Sequence, residues 1–150
     1  MGPSYKNHQA TKISIVDDDE SMREAIKTLI ASLGMDVEEF PSAESFLESG
    51  SCNSSNCLIL DVRMPGLTGP ELQRRLLASN KRIPIIFVTA HYTEEGRAKA
   101  MAAGAVAFLA KPFNEDELLQ ALELSQSTDP RAERTINPTK FSNLRLEEGS

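Results

Sequence analysis

Five short apolar runs recur along this chain, at Ile13–Val16, Met35–Phe40, Cys57–Leu60, Ile83–Val88 and Val106–Leu109, each followed by a helical pattern. Strands alternating with amphipathic helices predict an α/β domain with a parallel sheet. Each helix must carry the chain back to start the next strand in the same direction. The right-handed crossover then puts helices on both faces of the sheet. Cys57–Leu60 and Ile85–Val88 are almost unbroken apolar, as strands covered on both faces are. Met35–Phe40 carries Asp36, Glu38 and Glu39 and reads as an edge strand.

The helices are punctuated by recognisable residues. Met22, Ala25, Ile26, Leu29, Ile30 and Leu33 fall at spacings of three and four, and Gly34 ends that helix. Ser42 is placed to cap a second helix bearing Phe46 and Leu47. Gly69-Pro70, with Pro at the first helical position, opens a third bearing Leu72, Leu76 and Leu77. Thr93 caps a fourth that reaches Ala103, and Asn114 with Glu117 forms a capping-box variant before Leu118, Leu119 and Leu122.

These units occupy residues 12–126, one ordinary domain within a chain of 150. Residues 1–11 read as an N-terminal tail. Residues 127–150 contain Pro130, Pro138 and little periodicity, and read as a C-terminal tail or truncated linker too short for an independent helix-turn-helix domain. Residues 12–126 carry 11 basic against 18 acidic groups, which argues against nucleic-acid binding by phosphate neutralisation. The longest mildly apolar stretch, Ala100–Ala110, is too short to span a bilayer, and no signal segment precedes the domain, so a cytoplasmic chain is expected. Cys52 and Cys57 are too few for a disulfide framework, and only His8 and His91 stand to join them around zinc. Two reduced thiols are the simpler reading.

The polar residues that end the strands carry the chemistry. Asp17, Asp18 and Asp19 follow Ile13–Val16, Asp61 follows Leu60, Thr89 follows Val88, and Lys111 follows Ala110. In a parallel sheet all these ends share one edge, where open α/β sheets bind ligands. Taken singly, each has a plainer reading: first-turn acids at a helix dipole, an N-cap threonine, a solvated lysine. Asp61 resists this, because an acid directly after Cys-Leu-Ile-Leu has no evident structural task. Crowded carboxylates repel unless a cation joins them, and hard oxygen ligands suit Mg²⁺. A carboxylate is also a competent nucleophile toward phosphorus, with Mg²⁺, an ammonium and a hydroxyl to neutralise the phosphoryl oxygens. A Gly-rich nucleotide loop is absent, which disfavours a nucleoside triphosphate as donor.

Val16-Asp17-Asp18-Asp19-Glu20, Leu60-Asp61-Val62-Arg63-Met64-Pro65-Gly66, Val88-Thr89-Ala90 and Lys111-Pro112-Phe113 together resemble the receiver domain of two-component response regulators. Phe40-Pro41-Ser42-Ala43-Glu44-Ser45-Phe46-Leu47 and Ala103-Gly104-Ala105-Val106-Ala107-Phe108 further resemble receivers of the FixJ/NarL type, FixJ more closely. The resemblance implies a flavodoxin-like, doubly wound sheet of five parallel strands in order 2-1-3-4-5 with five helices. It implies a phosphoacceptor, not an enzyme, in which Asp61 takes a phosphoryl group from a sensor histidine kinase. Asp18, Asp61 and the backbone carbonyl of Arg63 would bind Mg²⁺ directly, and Asp17 through water. Thr89 would be the switch hydroxyl, Lys111 the phosphate-pairing lysine and Phe108 the switch aromatic, lacking the hydroxyl of the frequent Tyr. A cis Lys111-Pro112 bond is expected, as receivers commonly use one to turn the lysine into the pocket. The implied output is transcriptional or partner control, with a possible homodimer through the face of the fourth helix, fifth strand and fifth helix. No nucleic acid is expected to bind this chain itself.

Two rival classes fit less of the pattern. A haloacid-dehalogenase-like phosphatase would make Asp17 the nucleophile and Asp19 the general acid, but Glu20-Ser21 replaces its expected Gly-Thr and Asp61 loses its role. A phosphorylation-independent interaction module would predict a degraded acidic set, and this one is complete. Arg63 and His91 lie two residues beyond Asp61 and Thr89, either modulating water access or simply solvated at the rim.

Overall fold

Side-chain alternation along the strands decides which helix packs on which face of the sheet. The structure, a computed structural model, describes residues 11–127. Strands β1 (Lys12–Val16), β2 (Asp36–Phe40), β3 (Cys57–Asp61), β4 (Ile85–Thr89) and β5 (Ala107–Ala110) form one sheet in the order β2-β1-β3-β4-β5, every pair parallel. Helices α1 (Glu20–Ser32), α2 (Ala43–Ser49), α3 (Gly69–Ala78), α4 (Glu94–Ala102) and α5 (Glu115–Ser127) connect and follow them. The expected strand order and helix count are both present.

Leu58 and Leu60 of β3 and Ile85 and Phe87 of β4 point to one face, where they meet Phe46 of α2, Leu72 and Leu76 of α3 and Ala100 of α4. Cys57 and Ile59, with Ile86 and Val88, point to the other, against Ile26 and Ile30 of α1 and Leu118, Ala121 and Leu122 of α5. Two cores thus flank a sheet whose central strands β3 and β4 are buried at every residue, while β2 at the edge is only partly covered. Truncating a fully buried side chain such as Leu72 in a core of this kind costs about 2–5 kcal/mol.

Some boundaries shift. Pro84 cannot donate to the ladder, so β4 begins at Ile85 instead of Ile83, and β5 begins at Ala107. Helix α3 starts at Gly69, which puts Pro70 second, and a Thr68–Glu71 capping box closes its end. Ser42, Thr93 and the reciprocal Asn114–Glu117 pair cap as expected. Ser14, inside β1, is fully buried, and its hydroxyl is satisfied by Ser55 at 2.6 Å. Cys52 and Cys57 form no disulfide. The expected tails lie outside the described residues, except Thr11 and Ser127.

Candidate functional site

The four acids from Asp17 to Glu20 divide between two tasks. Asp19 caps α1, accepting from the backbone N–H groups of Ser21 at 2.9 Å and Met22 at 3.3 Å, and Glu20 fills the first turn. Asp17 is fully buried at the end of β1, while Asp18 stands exposed beside it. The backbone of Asp17 is pinned at both ends, its N–H donating to the Phe40 carbonyl at 3.2 Å and its carbonyl accepting from Arg23 Nη1 at 2.8 Å. Arg23 is itself oriented by Glu39 of β2, at 3.0 Å from Nε. This positioning role of Arg23 escaped the sequence reading, since its partners come from another strand and from a main-chain oxygen.

Asp61 closes β3 and is 6% exposed. Asp17, Asp18 and Asp61 each bring a carboxylate oxygen to within 4.8 Å of the others. Among the described residues this carboxylate group is the cluster able to hold a metal ion. Burial, then the charge of Asp17, push the Asp61 carboxyl up to about 7, although Lys111 and the Arg63 backbone N–H pull it down. A second cation beside Lys111 would relieve that crowding, and an all-oxygen donor set suits a small hard one such as Mg²⁺.

Lys111 reaches the pocket from the end of β5, its Nζ 2.9 Å from Asp17 Oδ2 and 3.7 Å from Asp61 Oδ1. Its own N–H donates to the Thr89 carbonyl at 2.8 Å, and the Lys111-Pro112 bond is cis, as expected. Thr89 is buried at the end of β4, and its Oγ1 accepts from the His91 N–H at 2.9 Å. It is not the helix cap, a task performed by Thr93. The Phe108 ring is half-buried between Phe87, at 5.9 Å between centroids, and Tyr92, at 5.5 Å. Arg63 and His91 are both exposed. The structure therefore brings Asp17, Asp18, Asp61, Thr89 and Lys111 to one edge, with Phe108 on the adjoining face.

A five-stranded doubly wound sheet with three acids, a hydroxyl and a lysine at its carboxyl edge defines a class. The chain belongs to the response regulator receiver domain family, whose pattern matches residues 13–123. It is 39% identical over 145 residues to the response regulator protein TmoT of Ectopseudomonas mendocina, covering 97% of this chain and 65% of that one. The transcriptional regulatory protein FixJ of Bradyrhizobium diazoefficiens is 40% identical over 111 residues, with 74% of this chain and 54% of FixJ covered. The solved structure of the response regulator StyR superposes with a TM-score of 0.77 at 41% identity, covering 93% of this chain and 69% of that chain. The chain thus spans just under two thirds of TmoT and about half of FixJ. Receiver domains work with sensor histidine kinases and generally bind Mg²⁺ at an acidic pocket. No helix among the described residues is long and apolar enough to cross a membrane.

Proposed function

We propose that Asp61 accepts a phosphoryl group from the phosphohistidine of a sensor kinase. The observation that carries this reading is the convergence of Asp17, Asp18 and Asp61 within 4.8 Å, with the Lys111 ammonium 3.7 Å from Asp61. An Asp61 carboxylate oxygen attacks phosphorus, the P–N bond breaks, and its electron pair leaves on the imidazole nitrogen. Mg²⁺, bound by Asp18, Asp61 and the Arg63 carbonyl and reached by Asp17 through water, would supply positive charge that keeps Asp61 ionised and offsets the phosphoryl oxygens. Lys111 moves its ammonium from Asp17 toward the new phosphate, and Thr89 offers its hydroxyl to a second phosphoryl oxygen. The domain serves as a phosphoacceptor that assists its own phosphorylation and dephosphorylation without being a conventional enzyme.

The same reading assigns the output. Drawing Thr89 inward pulls the loop that leads to α4, and only Ala100 of that helix is buried, so it is held lightly enough to shift. Phe108 then turns into the vacated space, and the α4–β5–α5 face changes for homodimerisation or release of a transcriptional output. Residues 12–126 form the receiver, with Ser127 closing its last helix. The protein works in the cytoplasm, and the receiver binds no nucleic acid itself. Against the phosphatase alternative, the Asp19 carboxylate is committed to the α1 cap and is not among the three acids that converge.

The test is incubation with Mg²⁺ and a small phosphodonor. The wild type should gain one phosphoryl group by mass and Asp61→Asn none, with Asp18→Ala also unlabelled at ordinary Mg²⁺ but still folded. Label on Asp61→Asn equal to wild type would overturn the assignment.

A further inference from the structure

The segment between β3 and α3, residues 62–68, is the longest stretch of the acidic site that lies on neither a strand nor a helix. It carries Arg63, whose backbone N–H acts on the Asp61 carboxylate. Its far end is fixed by close approach: the Gly69 N–H donates to the Val62 carbonyl at 3.0 Å. Its middle is held from another element. The Glu44 carboxylate of α2 accepts from the Leu67 N–H at 2.9 Å, across 23 residues of sequence. Gly66 beside it has φ +78°, and a Cβ there would fall 2.7 Å from Glu44 Oε2. The left-handed backbone and the missing side chain at Gly66 let the loop lie against the carboxylate.

We propose that Glu44 is a positioning residue for the phosphoryl-accepting site, holding the loop so that the Arg63 main chain stays at the acidic pocket. The inference rests on the reading of Asp61 given above. Of the proposed metal-facing groups, Asp17 and Asp18 lie in the short link between β1 and α1, where Phe40 and Arg23 pin the Asp17 backbone, and Asp61 closes β3, whereas the Arg63 carbonyl depends on the longer loop. An outer partner that fixes such a ligand changes metal affinity while leaving the chemistry of the acceptor alone. Glu44 is exposed, so the effect belongs at the low end for such partners.

The test follows two quantities in Glu44→Ala and Glu44→Gln. One is the Mg²⁺ concentration that half-saturates Asp61 labelling by a small phosphodonor. The other is hydrogen exchange at the Leu67 amide in metal-free protein. Alanine is a strong helix former at this exposed helical position, so the fold is not at stake. Glu44→Ala should raise the half-saturating Mg²⁺ about tenfold, leave the rate at saturating Mg²⁺ near wild type, and speed Leu67 exchange. Glu44→Gln keeps a carbonyl acceptor and should restore most of both. A labelled wild type with an unshifted Mg²⁺ midpoint in Glu44→Ala overturns this proposal alone, whether or not Leu67 exchange changes. A wild type that takes no label overturns the reading of Asp61, and this proposal with it.

Discussion

Lys111 Nζ lies 2.9 Å from Asp17 Oδ2, an ion pair closed across 94 residues with the Asp17 side chain 1% exposed. Removing one partner of a pair this buried strands the other charge. Lys111→Met should therefore lower unfolding free energy by about 3 kcal/mol near neutral pH. Adding Asp17→Asn to it should recover most of the loss. Urea unfolding measures both. A loss of about 0.5 kcal/mol or less would place the pair among ordinary surface bridges.

The Asp61 carboxyl gives stability a pH dependence of definite sign. Its folded value of about 7 stands above the ordinary 3.8, so between the two the folded chain holds a proton that the unfolded chain has released. Stability then falls as pH rises through that window. Asp61→Asn removes the effect. In metal-free buffer its Tm should exceed that of wild type by a margin that widens from about pH 5 to pH 7 and then levels off. A margin that stays constant with pH would contradict the burial and Asp17 repulsion assigned to this site.

Gly69 tests how tightly the loop folds back on β3. A Cβ there would stand 2.4 Å from the Asp61 carbonyl oxygen, 3.0 Å from the Phe87 ring and 3.1 Å from Val62 Cα. Two of these neighbours are backbone and cannot swing aside. Alanine gains up to about 1 kcal/mol over glycine from helix propensity alone, yet Gly69→Ala should be net destabilising, by about 1–3 kcal/mol. A stabilised variant in thermal or urea unfolding would show that the loop yields.

Thr89 separates acceptance of phosphate from its consequence. Thr89→Ala keeps Asp61, the acid cluster and Lys111, so it should still take label. It should fail to change association state or the α4–β5–α5 surface, because the differential contact with phosphate is gone. Gel filtration and amide-exchange profiles of the labelled variant measure this. Wild-type association by labelled Thr89→Ala would disconnect the hydroxyl from the switch.

Much of this was written in local pattern. Leu58, Leu60 and Ile59 alternate between two cores because β3 is covered on both faces, and an unbroken apolar run announces that arrangement. Asp61, Thr89 and Lys111 were legible for the same reason. Each is the first polar residue after such a run, and a parallel sheet gathers those positions at one edge.

What escaped the sequence depends on partners far along the chain or on competing cues. Gly69-Pro70 marked the start of α3 and masked the Thr68–Glu71 box just before it. The acids at 17, 18 and 19 look alike in sequence, and only the end of β1 and the α1 cap separate a buried Asp17 from a solvated Asp18 and a capping Asp19. Arg23 and Glu44 act through main-chain groups of Asp17 and Leu67, which leave no signature in residue type. Ser14 interrupts an apolar run, and the Ser55 hydroxyl that satisfies it lies 41 residues on.

Asp61 as the phosphoryl acceptor is tested by locating the acyl phosphate itself. Wild-type protein is labelled with a small phosphodonor in Mg²⁺, reduced with borohydride, which converts an acyl-phosphorylated aspartate to homoserine, and mapped by peptide mass. Homoserine is expected at position 61, dependent on Mg²⁺. Homoserine at position 17, with Asp61 unmodified, would contradict it and favour the phosphatase chemistry.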